Sequence, residues 1–152
     1  MIRTVAIALC MILAHANTAR AETFRLDDSM SQVFPPSADW DWAPFSARSG
    51  NTTLQMHLRV NVRIDTRAWV GKQVRIFMVL PQEAGGPVSA TWEARGPLLP
   101  GRLNSGERAL VYSGTLGASV LEDTLNVRLT TDARLRTATT RRVAFSFELD
   151  RP

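Results

Sequence analysis

Cysteine is almost missing from this chain of 152 residues: Cys10 is the only one. Past residue 21 there is none, which removes disulfides, thiolate metal ligands and a cysteine nucleophile together. Histidine is nearly as scarce, with His15 near the start and His57 alone beyond it. A Ser-His-Asp system has only His57 to draw on, and no G-x-S-x-G elbow accompanies it. With one histidine and no thiol, a transition-metal site would have to be built from carboxylates, which zinc rarely accepts. No glycine-rich phosphate loop is present, so neither cofactor nor metal is expected and no catalytic residue is assigned. Lysine is rare too, Lys72 being the only one among 18 basic residues. No long apolar run occurs, because Val5 to Ala14 falls well short of the roughly 20 residues that a membrane-spanning helix needs.

That short run has another use. Arg3 precedes it and Ala19-Arg20-Ala21 follows, giving the charged start, apolar middle and A-x-A end of a secretory signal peptide. Cys10 sits inside the apolar stretch behind Leu9, so it reads as a small hydrophobe and not as a lipid attachment site. Cleavage after Ala21 leaves Glu22 to Pro152, 131 residues of the original 152. A domain of that size has an adequate core without disulfides. Export without disulfides points to a Gram-negative periplasm or the cell surface, with no transmembrane segment once the leader is gone. Losing Arg3 and Arg20 also lowers the net charge from +4 to +2. Arg134, Arg136, Arg141 and Arg142 form the nearest thing to a basic cluster and read as a solvated face, so no nucleic-acid partner is expected.

What the chain has in quantity is alternation. Leu54, Met56, Leu58, Val60, Val62 and Ile64 are apolar, and every residue between them is polar. Period two without an exception describes a strand with one buried and one wet face. Val74 to Leu80 repeats the pattern with Phe77 and Val79 added on the second face, predicting a central strand that Pro81 ends. Val88 to Ala94, Leu110 to Tyr112, Leu125 to Leu129 and Val143 to Leu149 supply four more, each bounded by turn residues. A seventh comes from Gln32–Phe34 or from Ala43–Arg48. The expected fold is therefore all-β: a single antiparallel two-sheet β-sandwich, Ig-like or similar, of about seven strands, with a small β-barrel as the alternative. The chain divides into a signal peptide (1–21), an irregular N-terminal arm (22–50) and the sandwich (51–152).

Candidate sites are few. Trp40-Asp41-Trp42, with Trp69 in the turn after the first long strand, could stack on sugar rings while the acid accepts hydroxyl hydrogens. The same rings could instead plug one end of the sandwich. His57, between Gln55 and Arg59, reads as an ordinary cross-strand residue. Asp39 and Asp41, or Glu122 and Asp123 in a loop before a strand, are the carboxylates that a glycosidase-like hydrolase would need. Phe24, Leu26, Met30 and Phe34 share one parity of an extended segment, as a strand offered to a neighbour's sheet would. In this the arm resembles the donor arms of chaperone–usher pilus subunits, although the strong final strand indicates a domain complete without a donor. The function expected is non-enzymatic binding of another envelope protein or a surface glycan, in an accessory or subunit of a pilus-like assembly. The alternatives are a carbohydrate-binding module using its tryptophans and a carboxylate-based hydrolase.

Overall fold

The computed structural model describes residues 22–36, 38–39, 41–42, 53–82, 86–132, 134, 140–141 and 144–151. The leader with its cleavage site, Trp40 and Ala43–Arg48 lie outside them. In chain order the strands are β1 (Thr23–Arg25), β2 (Gln32–Phe34), β3 (Ala38–Asp39), β4 (Asp41–Trp42), β5 (Thr53–Asp65), β6 (Gln73–Val79), β7 (Ser89–Ala94), β8 (Gly101–Asn104), β9 (Arg108–Thr115), β10 (Val120–Asp132), β11 (Thr140–Arg141) and β12 (Ser146–Asp150). A 3-10 turn covers Arg67–Trp69.

All pairing is antiparallel. The larger sheet runs β2-β5-β10-β7-β8, with β4 following β2's place on the same flank of β5, and the smaller runs β1-β12-β6-β9. A two-stranded ribbon joins β3 to β11. The two main sheets stack face to face without closing into a barrel, so the fold is the expected sandwich and the barrel alternative is set aside.

The longest rungs explain the architecture. β5 and β10 pair over their whole length, from Val120 opposite Asp65 to Asp132 opposite Thr53. Every apolar residue of the β5 alternation is buried, and Leu121, Leu125, Val127 and Leu129 of β10 face the same way. Opposite them lie Val74, Ile76 and Met78 of β6 and Phe147 and Leu149 of β12, all essentially inaccessible. Fully burying one such side chain contributes about 1.5–3 kcal/mol. β6 is central in its sheet, between β12 and β9, as its two apolar faces predict.

β10 is much longer than the Leu125–Leu129 segment that the alternation marks out. Asp123 interrupts the apolar parity and makes the preceding residues read as a loop. In the fold its carboxylate accepts hydrogen bonds from the backbone N–H groups of Gly96 at 2.7 Å and Leu98 at 2.8 Å, closing the loop after β7. A polar group on the inner parity is tolerated because it is satisfied.

The segment from Glu22 to Phe34 crosses between sheets. β1 pairs with β12 and β2 with β5, and Leu26, between them, is buried in the core and donates its N–H to Phe147 O. At the opposite side the β8–β9 connection also crosses between the sheets, through a turn in which Gly106 holds φ +85°. Gly101 opens β8 where the Trp92 ring presses on it: a Cβ there would meet Trp92 Cζ2 at 2.7 Å.

Candidate functional site

Successive residues of a strand point to opposite faces, so the polar half of β5 must lie on the outside of the larger sheet. Register then decides which side chains stand together. His57 lies opposite Arg128 on β10, Arg128 opposite Thr91 on β7, and Thr91 opposite Arg102 on β8. The next row runs Phe34, Arg59, Asn126, Glu93. Beyond it come Gln32, Asn61 and Thr124. Five strands thus bring together side chains that are far apart in sequence.

The surface they make is open and shallow. One depression of about 730 Å³ is lined by His57, Arg59, Thr91, Glu93, Asn126 and Arg128. A neighbouring one of about 570 Å³ is lined by Phe34, Arg59, Asn61, Arg95 and Thr124. Phe34 is 48% exposed at this edge, with Met30 at 52% beyond it, so the arm lends apolar surface to a polar face.

The electrostatics are one-sided. Arg63 is neutralised by Glu122, Nε to Oε1 at 2.7 Å. Arg59, Arg95, Arg102 and Arg128 form no ion pair among the described residues, and Glu93 is the one remaining acid in the depression. Guanidiniums held in register on a sheet, with amide and hydroxyl groups between them, can bind carboxylate, sulfate or phosphate by charge-assisted hydrogen bonds.

The other sequence candidates are distributed elsewhere. Glu122 and Asp123 are consecutive residues inside β10, not in a loop before it. Glu122 faces outward to Arg63, while Asp123 is engaged with the backbone of residues 95, 96, 98 and 124. Asp39 lies in β3 opposite Thr140, and Asp41 in β4 opposite Gln55. Trp42 stands opposite Leu54, at the start of β5, whereas Trp69 follows its end. From Leu54 to that end the strand spans about 35 Å at about 3.3 Å per residue, so the backbones of Trp42 and Trp69 stand at opposite ends of β5. Trp69 is packed against Phe24, ring centroids 4.8 Å apart, with the Lys72 ammonium 5.0 Å over its ring. Phe24 and Leu26 serve the chain's own sandwich, leaving Met30 and Phe34 as the exposed part of the arm.

A second charged cluster lies on the outside of the smaller sheet. Asp150 is buried, and its carboxylate accepts from both terminal nitrogens of Arg108, at 3.1 and 3.0 Å, and from the Thr23 hydroxyl at 2.7 Å. Arg108 lies 4.3 Å over the Phe77 ring. Burial pushes the Asp150 carboxyl up, but the Arg108 and Thr23 hydrogen bonds and the nearby positive charge outweigh it, leaving the group below its ordinary value. Its valences are filled, which makes it a strut between β1, β9 and β12.

Among the described residues no group of three or more His, Cys, Asp or Glu side chains is placed to hold a metal ion, and no helix is long and apolar enough to cross a membrane. Nothing in the sequence alone singles out Arg102, Arg128 and Asn126. Their outward parity is visible in the alternation, but their meeting with Arg59 depends on cross-strand register. No family model, no curated protein and no solved structure matches the chain.

Proposed function

We propose that the protein is an exported, non-catalytic binding module whose ligand lies on the outer face of the larger sheet. The observation that carries this is the set of arginines at 59, 102 and 128, held in register on rigid strands without ion partners among the described residues. The sheet fixes the backbone positions from which these side chains reach, so a ligand orders the side chains alone. The leader, the disulfide-free composition and the open face fit an accessory or subunit of a cell-surface assembly, in contact with an envelope protein or a surface glycan.

Export is tested by N-terminal sequencing of the protein recovered from the periplasmic or extracellular fraction. Glu22 is expected as the first residue; a cytoplasmic protein retaining Met1 contradicts it. The face is tested by co-sedimentation with envelope fragments of the producing cell, comparing wild type with Arg59→Ser/Arg128→Ser. The double variant is expected to lose binding by about tenfold, or 1.4 kcal/mol, with an unchanged unfolding midpoint. Equal binding by both proteins overturns this assignment of the face.

A further inference from the structure

The ligand's chemistry can be read from the spacing of these groups. We propose that the face takes an acidic polysaccharide, a glycan bearing carboxylates along its length, laid across the strands on the row His57, Arg128, Thr91, Arg102. This rests on the binding reading of that face and names the ligand class it serves.

Charge is the first argument. An anion gains charge-assisted hydrogen bonds from Arg102 and Arg128 that a neutral glycan does not, and a basic ligand is repelled. The ligand is therefore anionic.

Spacing is the second. Neighbouring strands lie about 4.8 Å apart, so Arg128 stands one spacing from His57 and Arg102 stands two further spacings, about 10 Å, from Arg128. The two arginines thus stand on a line perpendicular to the strands, their backbones about 10 Å apart. A chain with one carboxylate on each sugar repeats its charge on a comparable scale and can engage both arginines at once, whereas a single small anion leaves the rest of the row unused.

The groups between and beside the cations are the third. Thr91 lies within the row, and Asn126 and Arg59 flank it, supplying hydroxyl, amide and guanidinium hydrogen bonds suited to sugar hydroxyls. At the β2 end the exposed ring of Phe34 stands opposite Arg59, where the apolar face of a sugar can rest. The depression is open at its margins, so a polymer can pass through without presenting an end.

Glu93 sets the direction. It occupies the β7 position of the adjacent row, so a polyanion running there would meet a carboxylate, while one on the His57–Arg102 row meets none. Removing that charge is expected to tighten binding.

The test measures binding of the exported protein, by calorimetry or biolayer interferometry, to polygalacturonate, to its fully methyl-esterified form and to poly-glutamate. Wild type is expected to bind polygalacturonate at least about tenfold more tightly than either control, with affinity falling as salt rises. Arg102→Gln and Arg128→Gln are each expected to weaken it severalfold, and Glu93→Gln to strengthen it. Circular dichroism and thermal midpoints of these surface variants verify folding. Equal affinity for polygalacturonate and poly-glutamate means that any polyanion is held and overturns the glycan assignment, leaving the face standing. Failure to bind polygalacturonate, while envelope binding persists and still depends on Arg59 and Arg128, also overturns the glycan alone. If Arg102→Gln and Arg128→Gln bind polygalacturonate as wild type does, the glycan assignment to this face fails; envelope binding that is equally indifferent to Arg59 and Arg128 removes the face itself.

Discussion

Arg108 covers Asp150 on its water side, and that placement decides what removing it does. Asp150 is buried, so loss of Arg108 leaves a carboxylate with Thr23 as its remaining side-chain partner. Stranding a buried charge costs about 3–5 kcal/mol, but Arg108 is 41% exposed and water can replace part of its contact. Arg108→Ala is therefore expected to lower unfolding free energy by about 2 kcal/mol, measured by urea titration, and adding Asp150→Asn should recover part of that loss. Asp65 is another carboxyl held low, to about 2, chiefly by hydrogen bonds from the Arg67 side chain and then from its backbone N–H. A carboxyl depressed in the folded state stabilises above its unfolded value and loses that stabilisation on protonation. Both groups start from 3.8. Stability is thus expected to hold from neutral pH to about 4 and to fall as pH drops toward 2. Asp28, pushed up by burial, works in the opposite direction. A thermal midpoint that rises on acidification below pH 4 would show the sign to be wrong.

β8 is a strand held by one buried leucine, Leu103, and by the seat of Gly101 under Trp92. Gly101→Ala puts a methyl group into that ring and is expected to cost about 1–3 kcal/mol as overpacking. A urea midpoint unchanged by the substitution would mean that β8 moves away without penalty. The same strand marks the limit of reading elements from sequence. β5 is legible because six apolar residues alternate without a break and one face is wet. β8 is not, because Arg102 and Asn104 are polar on an edge and Leu103 alone signals burial. β1 is hidden for the same reason, Phe24 being its single apolar residue. β10 reads short because Asp123 occupies an inward position, and nothing local announces that the loop 95–98 supplies N–H groups to it. The candidate face follows this rule: outward parity of Arg59 and Arg128 is written in each strand, but their shared surface belongs to the pairing of β5 with β10. Register of distant strands is a tertiary property, invisible to a local pattern.

For the whole molecule the pairing of Thr53 with Asp132 sets the timescale of folding. The two longest strands meet only after β6 to β9 have been looped out between them, and closing such loops is an entropic cost met before the contacts form. Refolding in the range of milliseconds to seconds is expected, as for other sandwiches dominated by distant pairings. Stopped-flow tryptophan fluorescence should show it; most of the amplitude recovered within microseconds would mean that the long pair does not limit the rate. Leu26 between β1 and β2 and the turn between β8 and β9 are two of the crossings that tie the sheets, at opposite sides, so neither sheet leaves without breaking the core.

The pairing of β1 with β12 brings Glu22 and Arg151 side by side, with Arg151 N donating to Glu22 O at 3.4 Å. A pull applied to those two residues in opposite directions does not load the β1–β12 ladder all at once. It opens the ladder like a zip, first at Thr23 and Asp150, then at Phe24 and Leu149, each bond bearing the tension in turn. Force therefore enters the domain where Asp150 leaves the cover of Arg108, and it reaches the long β5–β10 pair before β6 to β9, which lie between those two strands in the chain.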